Sequence, residues 1–149
     1  MSMFDAFNIN ASGMTAQRYR MDTISENVAN ANTTRTADGT PYRRKIVTFQ
    51  EKGGQTNFSQ VLGEAAYAHG YTGKGVKVSG VYEDYATEMT MAYDPSHPDA
   101  DENGYVTYPN VNIITEMTNM IDATRAYQAN ATAFNASKSM ALQGLELNQ

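Results

Sequence analysis

The chain of 149 residues contains no cysteine. Disulfide bridges, thiolate metal sites and catalytic thiols are thereby excluded, and the absence suits an oxidising compartment without requiring one. Its two histidines, His69 and His97, have no carboxylate or second histidine at ligand spacing on one helix face. No run of eighteen apolar residues occurs, so no membrane span is expected. The opening MSMFDAFNINASGMTAQRYR lacks a basic stretch followed by an apolar one, so no cleavable secretory signal is expected. Nor is there a basic face: the net charge is −5, and nucleic acid is not an expected partner. No nucleophile, base and orienting group stand in a recognisable arrangement, so neither an enzyme nor a cofactor is expected.

What is present is uneven. Hydrophobic residues make up 41% of the chain and the mean hydropathy is −0.53, a thin core for this length. Residues 1–35 balance Asp5, Asp22 and Glu26 against Arg18, Arg20 and Arg35, and residues 111–149 are nearly neutral. Most of the negative charge lies between them, at 83–102. Near-neutral ends can approach copies of themselves without much repulsion.

The ends are helical by pattern. Phe7, Asn10, Met14, Gln17, Met21, Ile24, Val28 and Ala31 follow alternating spacings of three and four, one seam of a heptad repeat. Gly13 weakens the helix relative to Ala and is expected to mark a bend, and Asn30 or Asn32 to end the helix. Near the C-terminus, Ile113, Met117, Met120, Thr124, Tyr127, Ala131, Phe134, Lys138, Ala141 and Leu145 keep the same rhythm. A flanking row at Ile114, Ile121, Gln128, Asn135 and Leu142 repeats every seven residues, and Asn110 or Asn112 can cap the helix start.

Between the arms, KIVTF (45–49), GVKVSGVY (75–82), ATEMTMAY (86–93) and GYVTY (104–108) read as strands. The Gly-rich stretch at 53–75 reads as a mobile loop, with one short helical stretch at 58–67. The expected fold class is therefore α+β. Long terminal helices, 1–34 and 111–149, form one coiled-coil-like core, with a small irregular β-rich insert at 35–110.

The stretch RAYQANATAFNASKSM (125–140) carries few large apolar side chains and many small or amide ones. Small residues let helix backbones approach closely, and Ala126, Ala129, Ala133 and Ala136 lie off the Tyr127–Phe134 seam, so more than one face suits contact. A two-helix coil from this sequence is marginal, because ordering each residue costs on the order of 1.5 kcal/mol against few large buried side chains. More burial, against neighbours, is expected. The residues expected to pack between subunits are Met14, Met21, Ile24, Asn27, Val28 and Asn30 in the first arm. In the second arm they are Met117, Met120, Ile121, Tyr127, Asn130, Phe134, Asn135 and Leu142.

Three stretches look like sites and are read otherwise. DADENG (99–104) matches the first half of a calcium loop, but the twelfth position is Asn110 rather than Glu, and a turn is expected. GYTGKGVKV lacks phosphate-loop spacing. Arg43, Arg44 and Lys45 form a short basic run, read as a solvated strand edge. A small helical bundle holding a ligand in its core is the remaining competing reading.

SENVANANTT (25–34), following a helical seam, resembles the N-terminal motif of bacterial flagellar axial proteins: Ser25, Asn27, Val28, Ala29 and Asn30, with Thr33 after them. The continuation TTRTADGTPYRRK resembles the proximal-rod members, as do YDPSHPDADENGYVTYPNVNIITEM (93–117) and MIDATRAYQANATAFNASKSM (120–140). The resemblance covers about residues 8–50 and 74–145 and is weak at 53–73. It implies a structural subunit of the basal-body rod, whose terminal helices pack around a central channel with the β-rich portion outside. It implies export through the flagellar type III apparatus, and a place outside the cytoplasmic membrane. Implied partners are further copies, the rod proteins FlgB and FlgF, distal-rod FlgG and the FliE collar.

Overall fold

The computed structural model describes residues 3–53 and 73–146. The helical stretch expected at 58–67, and nearly all of the loop at 53–75, lie outside the described residues. Helix α1 spans Met3–Ala29 and helix α2 spans Ile113–Glu146, about 40 and 50 Å long. Between them come β1 (Lys45–Glu51), β2 (Val76–Glu83), β3 (Thr90–Tyr93) and β4 (Tyr105–Tyr108). The fold is α+β, two long terminal helices with a small β insert.

The helices pack antiparallel. Phe7 meets Phe134 edge to face with ring centroids 5.1 Å apart. The Thr124 hydroxyl lies 3.5 Å from Met21 Sδ, and Asn27 bonds Glu116 at the far end. The inward stripe of α2 is the expected one only in part. Met120, Thr124, Ala131, Phe134 and Ala141 of that seam are half-buried, while Ile113, Met117, Tyr127 and Leu145 are exposed. The fully buried positions, Glu116, Ala123 and Ser137, lie off the seam, where the helices accept a small side chain or a polar one with internal partners.

Gly13 shows how close they come. The helix runs through it without a break, and a Cβ at Gly13 would stand 2.8 Å from Oδ1 of Asn130. Its role is close approach rather than the expected bend. Gly13→Leu is expected to cost about 2–3 kcal/mol by overpacking. In an Asn130→Ala background the space is open, and Gly13→Ala should then stabilise by about 1 kcal/mol through helix propensity. Urea midpoints of the parent chain, Gly13→Leu, Asn130→Ala and the Gly13→Ala Asn130→Ala double variant check both statements.

Asn112 caps α2: its Oδ1 accepts from the Thr115 amide at 3.1 Å. At the end of α1, Asn30 Nδ2 turns back to the Glu26 carbonyl and its Oδ1 accepts from the Thr33 hydroxyl. β1 and β2 pair antiparallel from Lys45↔Glu83 to Glu51↔Val76, with an irregularity at Thr48/Phe49. β2 is sutured to α1 by Ser12, whose hydroxyl donates to the Ile9 carbonyl and accepts from the Val76 amide. Gly75 has φ 100°, and a Cβ there would fall 2.2 Å from Ser12 Oγ, so no other residue fits. β3 and β4 form a separate hairpin, from Thr90↔Tyr108 to Tyr93↔Tyr105. The strand expected from residue 86 starts only at Thr90. Asp84 accepts from the Ala86 and Thr87 amides and so diverts that backbone from a ladder.

Candidate assembly interface and the buried junction behind it

Both arms meet the β insert at one buried polar junction. Asn27, on α1, is 1% exposed and uses all four of its hydrogen-bonding positions. Its Oδ1 accepts from the Tyr42 hydroxyl (2.9 Å) and the Lys45 amide (2.8 Å). Its Nδ2 donates to the Lys45 carbonyl (2.9 Å) and to Glu116 Oε2 (3.0 Å). It thus continues the β1 ladder onto the helix and reaches α2 in the same gesture. Lys45 in turn pairs with Glu26 and lies over the Tyr42 ring.

Glu116 is equally buried, at 1% exposure, and its charge is met by Arg44. Nε and Nη2 of Arg44 both lie 2.9 Å from Glu116 Oε1, and Nη1 lies 3.4 Å from Asp84 Oδ2. The Arg44 amide donates to Asn110 Oδ1, whose Nδ2 donates to the carbonyls of Asp84 and Thr87. Two asparagines and one arginine therefore tie α1, α2 and three loop or strand segments together. The basic run read as a solvated edge is in fact split: Arg44 turns inward to two buried carboxylates, while Arg43 lies over the Tyr85 ring at 4.3 Å. Nothing local in the sequence distinguishes Arg44 from Arg43; its partners are 40 and 72 residues away.

Two groups of the junction, Asp84 and Tyr42, are shifted in opposite senses relative to the cost of burial. Hydrogen bonds from the Thr87 hydroxyl and amide hold the Asp84 carboxyl below the usual carboxylate range, against the opposing cost of burial. Tyr42 is pushed up to about 12 by burial, with Glu26, Glu116 and Glu83 adding repulsion to the phenolate. A phenol whose folded value lies above its unfolded value near 10 supports the fold below that pH. The support is lost as pH rises through 10 to 12, where the unfolded chain releases a proton that the folded one keeps. Urea titrations at pH 9 and 11.5 should show a smaller alkaline loss in Tyr42→Phe than in the parent chain. An unchanged loss would place the effect elsewhere.

The opposite face of α2 has no partner among the described residues. Ile114, Ile121, Gln128, Asn135 and Leu142, the row repeating every seven residues, are all exposed, Ile114 at 77%. Met117, Tyr127, Met140 and Leu145 extend the apolar surface, and Ala129, Ala133 and Ala136 leave flat ground beside it. Among the described residues of α2 the one fully buried apolar side chain is Ala123; Met120 and Phe134 are half-buried, and the other large apolar groups of the arm are exposed. Such a continuous exposed stripe on a long helix is a candidate contact surface.

A family model described as "Flagella basal body rod protein" matches residues 7–35, and one described as "Flagellar basal body rod FlgEFG protein C-terminal" matches residues 102–147. These are the two arms and their approaches. The chain is similar over its whole length to the flagellar basal-body rod protein FlgC of Bacillus subtilis (strain 168), 44% identical over 153 residues that cover 100% of each chain. It is 41% identical to FlgC of Borreliella burgdorferi, covering 100% of this chain and 99% of that one. It is 40% identical to FlgC of Salmonella typhimurium, covering 100% of both. The chain belongs to the flagellar basal-body rod protein FlgC family.

In this FlgC-family chain the residues expected to pack between subunits fall into three groups. Ile24 and Asn27 are interior, 5% and 1% exposed, and serve the subunit itself. This corrects the expectation for them: the motif asparagine Asn27 spends every bond inside the chain. Met14, Met21, Val28, Asn30, Met120, Asn130 and Phe134 are half-buried, several of them along the contact between the helices. Met117, Ile121, Tyr127, Asn135 and Leu142 are on the open face of α2. The calcium-like DADENG stretch is a turn. Asp101 Oδ1 accepts from the Asn103 and Tyr105 amides, and Gly104 takes φ 79°. Asp99 accepts from the Thr34 hydroxyl and lies 3.6 Å from Arg35, so these carboxylates fasten the hairpin to the end of α1.

Proposed function

We propose that the chain builds the proximal rod by lateral packing of its terminal helices, the open face of α2 lying against α1 of neighbouring subunits around a central channel. The observation that carries this reading is the apolar row Ile114, Ile121 and Leu142 on the face of α2 turned away from α1. Family membership supports the rod as the assembly in which that row is covered. The β insert projects outside the helical core, and the arms transmit torque because each is held by neighbours on several sides. Neighbouring copies, FlgB, FlgF, FliE and distal-rod FlgG are the proposed partners, the subunit being exported by the flagellar type III apparatus to a place outside the cytoplasmic membrane. No helix among the described residues is long and apolar enough to cross a membrane, in keeping with that route.

Ile114→Asp and Ala133→Trp test the reading in a motile host that depends on this chain. Both sites are exposed, so the urea midpoint of the purified chain should move by no more than about 0.5 kcal/mol equivalent. Swimming and the yield of completed rods should be lost. Normal swimming by both variants would remove the open face of α2 from the assembly.

A further inference from the structure

Among the described residues Arg18, Arg20, Arg125 and Lys138 of the arms have no ion pair or hydrogen bond, and of these Arg20 alone is half-buried, whereas Arg44 and Lys45 beside it are paired. It opens onto a cleft of ≈ 290 Å³ between α1, β1 and the start of α2, lined also by Ile24, Val47 and Phe49 and by the paired Arg44, Lys45 and Glu116. The cleft thus offers one unpaired guanidinium beside an apolar wall, in a lining whose charges sum to positive. Its complement is a carboxylate with an aliphatic neighbour.

The chain carries such a pair at a nearby height. Met21 touches Thr124 and the helices run antiparallel, so Arg20 and Asp122 lie three residues apart in level, about 4.5 Å along the helix axis and within the reach of an arginine side chain. Asp122 stands about 200° round the helix from Thr124 at 3.6 residues per turn, and so faces away from α1. It is exposed, is unpaired among the described residues, and sits beside the exposed Ile121.

We infer that Ile121 and Asp122 of one copy dock in the Arg20 cleft of a second copy standing beside it in the same orientation, with the Asp122 carboxylate on the Arg20 guanidinium and Ile121 against Val47 and Phe49. The inference rests on the proposed lateral packing and names its electrostatic contact. Cleft and ridge are different surfaces of one subunit, so the contact is heterologous and repeats from copy to copy instead of closing a dimer. The ion pair sets the axial register, since the two charges come level when neighbouring copies are staggered by about 4.5 Å.

The absence of cysteine makes the test clean. Arg20→Cys and Asp122→Cys copies are expressed together in a motile host and oxidised mildly. A disulfide-linked dimer of this chain is expected in isolated rods when both variants are present, and not with either alone. Separately, Arg20→Glu or Asp122→Arg should each reduce completed rods about tenfold, the scale of a desolvated interfacial charge pair, and the double reversal should recover most of the loss. Rods that assemble without the dimer, a cross-link only to a different protein, or a double reversal no better than the singles would each overturn the docking while leaving the lateral-packing reading intact. Absence of the chain from isolated rods would overturn both.

Discussion

Arg44→Met is expected to cost about 3–5 kcal/mol of folding stability, because it strands two buried carboxylates at once. Glu116 is 1% exposed and Asp84 6%, and Arg44 is the one cation that both of them contact. Methionine keeps much of the aliphatic stem, so the loss reports the charge and the hydrogen bonds more than the packing. At about 2–4 °C per kcal/mol for a chain of this size, the midpoint should fall by about 10–15 °C. Removing the second charge as well, in Arg44→Met with Glu116→Gln, should cost less than the sum of the two single changes, since each then spares the other an unpaired partner. Urea unfolding of the three variants measures this. A cost under about 1 kcal/mol for Arg44→Met would mean that water reaches the carboxylates and that the junction is not closed.

Asn27→Asp should rank close behind, at about 3 kcal/mol, although it changes one atom group. The two donors of Asn27 point at the Lys45 carbonyl and at Glu116 Oε2, both acceptors. A carboxylate oxygen in that place faces two acceptors and adds a second negative charge beside Glu116 in a buried site. Asn27→Ala removes the same bonds without the charge and should be the milder of the two. Native-state hydrogen exchange at the Lys45 amide, which donates to Asn27 Oδ1, gives a local readout. Its protection should fall about 100-fold in Asn27→Asp, by the equivalence of 1.4 kcal/mol to a factor of ten. If protection is unchanged while the global midpoint falls, the asparagine acts through the helix pair and not through the β1 connection.

The junction also accounts for how an insert with so little apolar interior is held. Val106 is the one fully buried apolar residue among the described strands, and every residue of β3 is exposed. Two hairpins of this kind are not expected to stand alone in water. They are fixed instead by Ser12 at the start of β2, by Asn27 and Arg44 at the start of β1, and by Asn110 before α2. Each of these bonds lies at an arm or at an arm's edge, so ordering of the arms and ordering of the insert are linked.

Much of this was present in the residue pattern. Spacings of three and four placed both helices, β-branched and aromatic clusters placed the four strands of the described residues, and Asn112 is one of the two caps that the sequence offers for α2. The seven-residue row Ile114, Ile121, Gln128, Asn135 and Leu142 was separable from the main seam, and it is exposed throughout. These features depend on local geometry: a period of 3.6 or 2, a side chain bonding the amide three residues on. They are written in neighbouring residues and need no fold to be read.

What only the tertiary structure decided is which side of each helix faces in, and which polar residues are committed. Periodicity gives an apolar stripe but not its partner, and in α2 the larger groups Met117 and Ile121 went outside while Ala123 and Ser137 went in. The physical reason lies in the distance between the helices. Once Gly13 and Asn130 are in contact, side-chain volume outweighs apolarity in choosing the inner face. The same holds for Arg44, Asp84 and Glu116, three ordinary surface types in the sequence. Their burial is affordable only because residues 40 and 72 positions apart meet with complementary charges, and no local pattern encodes that meeting.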